Sequence, residues 1–572
     1  MKFIKQELFT LILIALLAAV SVKALAIPEF YTSHDGETHT ARLANFYLAL
    51  EESQVPPQLA PTLFGGFGFP IFVFIYPLPY LVGSFFHFLS FSYTDSAELT
   101  MAVGQILSAV AIYVFFKLET KKTLPSFLAA LFFTWAPYRF LMIFVRGAFA
   151  ESFAYIFVAT SLICLNRLFV YRNTKWIVLS GISLGGLLLS HQLVSVMFLP
   201  VLAWYFISKL IFENKKIQII FYALLSLVIG FGLSAYIYVP AYFEREFLRF
   251  DNSISYTNEH FVTPWQLVRS PWGYGFSHPG VVNDSMSFQI GLTHLVVVAL
   301  SLLVLLWSVG RKKRKVLNDP VSVKLLMWLF AFGLATILMI EVPFNHLVWE
   351  KLPGLSFVDF PWRFIGVAVA TVSFLSIYLL EKTRSNLILF LFLGFFVFYA
   401  NRNHLRINET IAFSDEHFET YQDTATWRHE FLPKKRITSK WKGIEGASEI
   451  WTGDGEITTL VDKTDKISLT VNLKEKSQVM LHRMYFPGWE FKVDDILVQE
   501  GDGYEISGFI DLETQVDYSG FIIFELPAGT HTIEATFLKT PLRKVGWYVS
   551  LMTLSLCVVL LSPVPKVLKK HL

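Results

Sequence analysis

Charge is scarce in this chain. Only 16% of its 572 residues are charged, whereas a soluble domain carries about 25%. A water-soluble fold of this length would lack the polar surface it needs. Cysteine is nearly absent: Cys164 and Cys557 both lie inside apolar runs, which argues for packing and against a disulfide framework or a thiolate metal site. The sequence has no P-loop, no GxSxG elbow, no HExxH helix and no CxxC pair, so ATP-driven transport has no support in this chain. No basic stretch is interleaved with aromatics, which excludes nucleic acid as a partner. We find no internal repeat and no low-complexity segment. The net charge of +3 says little as a total; its distribution carries the signal.

Apolar residues fill the space that charge leaves. They make up 54% of the chain, with 56 phenylalanines, and they come in runs about 20 residues long, as a bilayer core of roughly 30 Å demands. Aromatic richness suits lipid-facing surfaces and interface belts. The pattern predicts twelve spans: Leu8–Ile27, Ala97–Leu118, Leu124–Val145, Ala148–Leu168, Trp176–Ser190, Leu193–Ile211, Ile217–Val239, Ile290–Val309, Val321–Ile340, Phe364–Leu380, Leu387–Ala400 and Val545–Leu561. The first carries Lys2 and Lys5 ahead of it and no clear cleavage site behind it, so it reads as an uncleaved span. With the N-terminus in the cytoplasm, the even spans should end at basic loops. They do so at Lys117, Lys121 and Lys122, at Arg167, Arg172 and Lys175, at Lys209, Lys215 and Lys216, at Arg311 through Lys315, at Lys382 and Arg384, and at Lys566, Lys569 and Lys570 in the tail. Both termini are therefore expected in the cytoplasm of a multi-pass cell-membrane protein.

The apolar stretch Phe69–Phe91 contains Pro70, Pro77 and Pro79. Counting it as a span would invert every later loop. It reads as an interfacial or re-entrant segment, since proline removes helix hydrogen bonds and broken backbone at membrane depth needs protein or a wet cavity beside it. The outer face then holds residues 28–96, 240–289, 341–363 and a domain at 401–544. That domain alternates apolar and polar residues in Ile467–Leu473, Val479–Tyr485, Glu490–Val498, Phe521–Leu526 and His531–Leu538, the period of a small all-β sandwich. The expected architecture is an all-α polytopic membrane bundle over 1–400, a β-sandwich ectodomain over 401–544, and a last span with a basic tail over 545–572.

Chemistry-bearing residues gather on the outer side. Leu43, Phe46, Tyr47 and Leu50 mark an amphipathic helix that opens with His34, Asp35, His39 and Arg42. Asp35 and His39 are four apart and share a helix face, so His34, Asp35 and His39 are candidate ligands for a divalent metal ion. The plainer reading of Asp35 is a helix cap. Arg139 and Arg146 sit seven apart, with Glu151 just beyond. Ionisable residues in spans are costly, and guanidinium forks suit phosphate; an Arg–Glu lock between spans is the structural alternative. His191 ends a span on the same side. Trp272 and Tyr274 suit a sugar ring or the membrane interface. Asp359, Trp362 and Arg363 stand where another span re-enters, and Arg363 is a further candidate phosphate contact.

These pieces resemble the 6-pyruvoyl-tetrahydropterin synthase related membrane protein family of bacteria. The matching segments are SHDGETHTAR, GGFGFPIFVFIYPLPY, APYRFLMIFVRGAFAES, SHQ, MSFQIG, LPGLSFVDFPWRF, YFPGWEFKVDD and LPAGTHTIEATFLKTPLRKVGW, in the family's order over nearly the whole chain. Nothing here supplies the setting of the soluble zinc enzyme in that name. The layout is also similar to GT-C membrane glycosyltransferases, which have an acidic residue soon after the first span, interfacial helices and often an outer soluble domain. That resemblance implies a bacterial cytoplasmic membrane enzyme. It implies a polyprenyl-phosphate sugar as donor, an extracytoplasmic glycan as acceptor and Asp35 as the matching acidic residue; beside it, the residues themselves suggest Glu151 as a second acid–base group and Arg42, Arg139, Arg146, Arg363, His191, Trp272 and Tyr274 as substrate contacts. The motif here is HD where several GT-C groups show DD or DE. The alternative expectation is a non-catalytic lipid or polysaccharide transporter or assembly factor with a glycan-binding ectodomain.

Overall fold

The computed structural model describes residues 2–249, 259–280, 284–311, 318–352, 354–384, 386–423, 426, 429–436, 444–511 and 516–562. Most of the basic run after Arg311 and the tail lysines Lys566, Lys569 and Lys570 lie outside the described residues. Among the described residues, nine helices are long and apolar enough to cross a membrane. A tenth candidate is the pair Thr123–Thr134 and Pro137–Val145, bent by 46°. Two shorter apolar helices, Glu7–Ser21 and Thr174–Ser190, complete the set. Each segment read as a span from the sequence contains a helix, although Leu8–Ile27 leaves the α-helix after Ser21 and Leu124–Val145 is broken at Trp135 and Ala136.

Local chemistry sets the helix starts. Ser92, Asn173, Asp319 and Asn386 each accept a backbone N–H from the first turn of the helix that follows, the usual work of a short polar side chain at an N-cap. Burial orders the bundle from inside out. The Pro361–Lys382 span is 94% buried and forms its axis, whereas Pro541–Leu561, at 17%, lies on the rim. Small residues bring helices close. A Cβ on Gly104 would stand 2.8 Å from the Ser152 carbonyl oxygen, so helix Tyr93–Thr120 presses on helix Phe149–Tyr171 close to Glu151.

The stretch Phe69–Phe91 contains no span-length helix. It holds a single 3-10 turn, Ile71–Val73, and the 11-residue helix Leu78–Phe88. Such a helix is about 16 Å long, well short of the bilayer core. Helix Gly36–Glu51 buries Leu43 and Phe46 beneath it and leaves Tyr47 and Leu50 half-buried.

Among the described residues, nine strands between Ser448 and Phe537 form two antiparallel sheets. One runs in the order Ser448–Thr452, Ser477–Leu481, Ile522–Leu526, Glu505–Ile506; the other in the order Gly455–Lys463, Lys466–Leu473, Gly529–Phe537, Trp489–Val493, Ile496–Val498. Their inner faces share one core that includes Leu469, Val471, Val479, Leu481, Phe524 and Ile533, the arrangement of a sandwich. Two expected strands differ. Glu490–Val498 is a hairpin, because Asp494 and Asp495 both take positive φ, 50° and 65°, which makes a tight two-residue turn. Val479–Tyr485 stops pairing at Leu481, and the Met484 N–H then donates to the Phe67 carbonyl at 2.8 Å.

The sandwich is smaller than 401–544. Thr410–Ile411 pairs with Phe30–Tyr31, and the Asp415 carboxylate accepts the Tyr93 N–H at 2.9 Å. The chain between the penultimate span and the sandwich thus clamps the first loop. At the opposite end of the bundle lies a belt of ion pairs: Lys117–Glu7, Lys209 and Lys324 on Glu119, Lys382–Asp319 and Arg172–Glu213.

Candidate functional site

The site begins with a backbone seam. Pro137 restarts the helix after the bend, and Leu141–Val145 is wound as a π-turn, a feature frequent at functional sites. Gly147 follows with φ +61°. Across the seam the His34 N–H donates to the Val145 carbonyl at 3.1 Å and the Asp35 N–H to the Arg146 carbonyl at 2.9 Å. A Cβ on Gly147 would lie 2.4 Å from Ser33 Oγ and 2.8 Å from Gly36 N. Only glycine fits both the close approach and the left-handed backbone. Gly147→Ala is expected to destabilise the protein by about 2 kcal/mol or more, read as a drop in melting temperature in detergent.

This seam sets Asp35 beside Arg146, with Asp35 Oδ2 3.9 Å from a guanidinium nitrogen. Asp35 occupies the N-cap position of its helix, yet its side chain accepts no capping hydrogen bond. The carboxylate is 46% exposed, above a guanidinium that is 5% exposed. Beneath them Glu151, 1% exposed, accepts from Arg146 at 2.6 Å and from Arg363 at 3.2 Å. Its other oxygen accepts the Tyr138 hydroxyl at 2.8 Å. Arg363 reaches Asp359 at 3.5 Å, a carboxylate that is again half exposed. The Trp362 ring lies under Arg146, 5.3 Å from ring centre to guanidinium carbon. The two guanidiniums thus share one buried carboxylate, Glu151, and each also reaches a half-exposed one, Asp35 or Asp359.

Aromatic and imidazole groups form the far wall. Tyr76 and Tyr80 stack 6.0 Å apart, and His191 stacks on Tyr76 at 4.8 Å. His39 meets the Tyr80 hydroxyl at 3.0 Å, and the same phenol hydrogen-bonds Arg42. His191 Nδ1 accepts the Val194 N–H, so a neutral ring carries its proton on Nε2. Burial holds His39 well below the ordinary imidazole range, and Arg42, His191, Arg146 and Arg363 push it the same way. Burial also lowers His34, against the pull of Asp35. For a histidine depressed in the folded state, the unfolded chain takes up the proton first as pH falls. Stability is therefore full above the ordinary value of 6.5 and is lost as pH drops below it. The melting temperature in detergent is expected to be level from about pH 8 to 7 and to fall towards pH 5.5, and His39→Gln is expected to flatten that fall.

The residues nominated from the sequence divide into three groups. Asp35, Arg42, Arg146, Glu151, His191 and Arg363 share this cluster. Arg139 does not reach it: its guanidinium donates to Gln105 Oε1 at 3.0 Å and to Ser108 Oγ at 3.0 Å. The π-turn at Leu141–Val145, between the two arginines, breaks the continuous helical spacing that would put positions seven apart on one face. Trp272 and Tyr274 act as a latch. Trp272 packs on His404 at 4.5 Å, and the Tyr274 hydroxyl donates to the Arg406 and Ile407 carbonyls.

The metal reading of His34, Asp35 and His39 is corrected. Among the described residues no three His, Cys, Asp or Glu side chains gather to hold a metal ion. His34 Nε2 turns to the Tyr274 carbonyl at 3.2 Å and His39 to Tyr80, while Asp35 has non-helical backbone, φ −120° and ψ −5°, so the four-residue rule does not apply to it. Both oxygens of Glu151 are taken by donors, Arg146 and Arg363 on one and Tyr138 on the other, which is the geometry of a support for the cluster. Tyr76, Tyr80 and Tyr138 were not nominated; the YPLPY run that breaks the apolar stretch was the available signal for the first two.

No family model matches this chain. Over 219 residues it is 26% identical to an uncharacterized protein of Lactococcus lactis subsp. cremoris (strain MG1363), a match covering 37% of this chain and 36% of that relative. The chain therefore spans little more than a third of the length of the curated relative it matches.

Proposed function

We propose that this chain is a membrane glycosyltransferase of GT-C-like layout, with twelve spans and both termini cytoplasmic, a reading supported by the apolar runs, the basic loops and the GT-C-like order of its outer segments. It moves a sugar from a polyprenyl-phosphate donor to an extracytoplasmic glycan acceptor. One observation carries this reading: the uncapped, half-exposed Asp35 carboxylate is held 3.9 Å from Arg146, whose guanidinium is itself fixed from below by Glu151. A base and a phosphate-binding fork then face one opening. The acceptor hydroxyl oxygen attacks the sugar's anomeric carbon as its proton passes to Asp35. The bond from that carbon to the phosphate oxygen breaks, and its electron pair leaves with the polyprenyl phosphate. Arg146, Arg363 and Arg42 stabilise the charge that grows there. The sandwich, docked on the first loop, presents the acceptor.

A transporter would need a polar route between the two ends. Instead, Trp328 and Phe374 stack 3.7 Å apart, with Phe115 and Phe116 edge-on to Phe374, between the site and the ion-pair belt. This apolar plug weighs against that rival.

The test is mass spectrometry of lipids extracted from the purified full-length protein. Wild type is expected to carry a prenyl-phosphate species that Arg146→Gln loses. Bulk phospholipids alone, identical in both, would sink the proposal.

A further inference from the structure

Arg139 is 1% exposed inside the bundle, and among the described residues it forms no ion pair with a carboxylate. The buried Arg146, Arg363, Arg436, Arg483 and Arg543 each have one. The neutral partner is built, not accidental. Gln105 donates its amide N–H groups to Ser21 Oγ at 3.2 Å and to the Thr134 carbonyl at 3.0 Å, which fixes its oxygen toward Arg139. The guanidinium also lies 4.2 Å from the centre of the Tyr155 ring. A charge buried without a counter-charge costs stability, and a neutral side chain of similar size would remove that cost.

Only an aromatic layer separates this charge from the site. Tyr155 and Tyr138 both flank Gly366, where a Cβ would stand 2.5 Å from the Tyr155 hydroxyl and 2.9 Å from the Tyr138 ring. Tyr138 in turn donates to Glu151. We infer that Arg139 is a positioning residue of the phosphate pocket, raising its affinity for an anionic prenyl headgroup through its uncancelled field and without touching the ligand. The inference rests on the phosphate reading of the site. At a separation on the order of 10 Å and an effective dielectric of about 20, one charge shifts the affinity for a monoanion roughly tenfold.

Gln105→Glu tests it, because the carboxylate takes the shape of the amide and cancels the charge where it stands. Ser108→Asp does the same from the second partner. Binding of farnesyl phosphate and of neutral farnesol is measured on the full-length protein in detergent, alongside its melting temperature. The expected result is roughly tenfold weaker binding of farnesyl phosphate in both variants, with farnesol binding unchanged and the protein still folded. If wild type prefers farnesyl phosphate to farnesol and the variants keep the same preference, this inference alone is overturned. If wild type shows no such preference, the phosphate reading falls and takes the inference with it.

Discussion

Asp35→Asn is expected to abolish sugar transfer almost completely while leaving the protein folded. The substitution keeps the shape of the side chain and removes only its capacity to take a proton. Loss of a general base costs roughly a hundred- to ten-thousandfold in rate. The fold should scarcely notice: a helix-capping aspartate would cost about 1 kcal/mol on removal, but this one makes no capping bond. Donor affinity should hold or tighten, because a neutral amide no longer competes with phosphate for Arg146. Turnover, melting temperature and farnesyl phosphate affinity, measured together, separate this outcome from a merely structural role, in which melting would fall and turnover would follow it.

Glu151→Ala is expected to do the reverse and to act on the fold first. Glu151 is buried and receives Arg146, Arg363 and Tyr138. Removing it takes away the one buried carboxylate the two guanidiniums share and leaves them only the half-exposed Asp35 and Asp359, and breaking a buried ion pair costs about 3–5 kcal/mol. That is a large share of the stability of an ordinary domain. Folded yield after detergent extraction should collapse. Asp359→Asn is the control. It touches the same Arg363, but its carboxylate is half exposed at 3.5 Å, and a pair of that kind contributes about 1 kcal/mol or less. Similar melting temperatures for the two variants would contradict the assignment of Glu151 as the support of the cluster.

The helices were legible because a bilayer imposes a length, and runs such as Phe364–Leu380 meet it without a charge. The strands were legible where alternation is strict, as in Ile467–Leu473. The Asp494–Asp495 turn was not, because it lacks the glycine that normally announces a two-residue hairpin. The acid and the arginines were found through their rarity in an apolar chain. Their grouping was only half visible. Asp35 and Arg146 meet through backbone bonds and through Gly36 and Gly147, which look like ordinary loop glycines in the sequence. Arg139 was misplaced because a seven-residue spacing means one face only in an unbroken helix, and the π-turn at Leu141–Val145 leaves no strong mark in an apolar run. Burial decided the role of Glu151, and sequence neighbours do not reveal burial.

The most direct measurement is labelling of an Asp35→Cys variant, with Cys164 and Cys557 replaced by serine, using a membrane-impermeant maleimide on intact cells. The account predicts reaction from outside without permeabilisation, and protection by saturating farnesyl phosphate but not by farnesol. Reaction only after the membrane is opened, or equal reaction with and without the phosphate, would contradict an outward-facing phosphate pocket at this position.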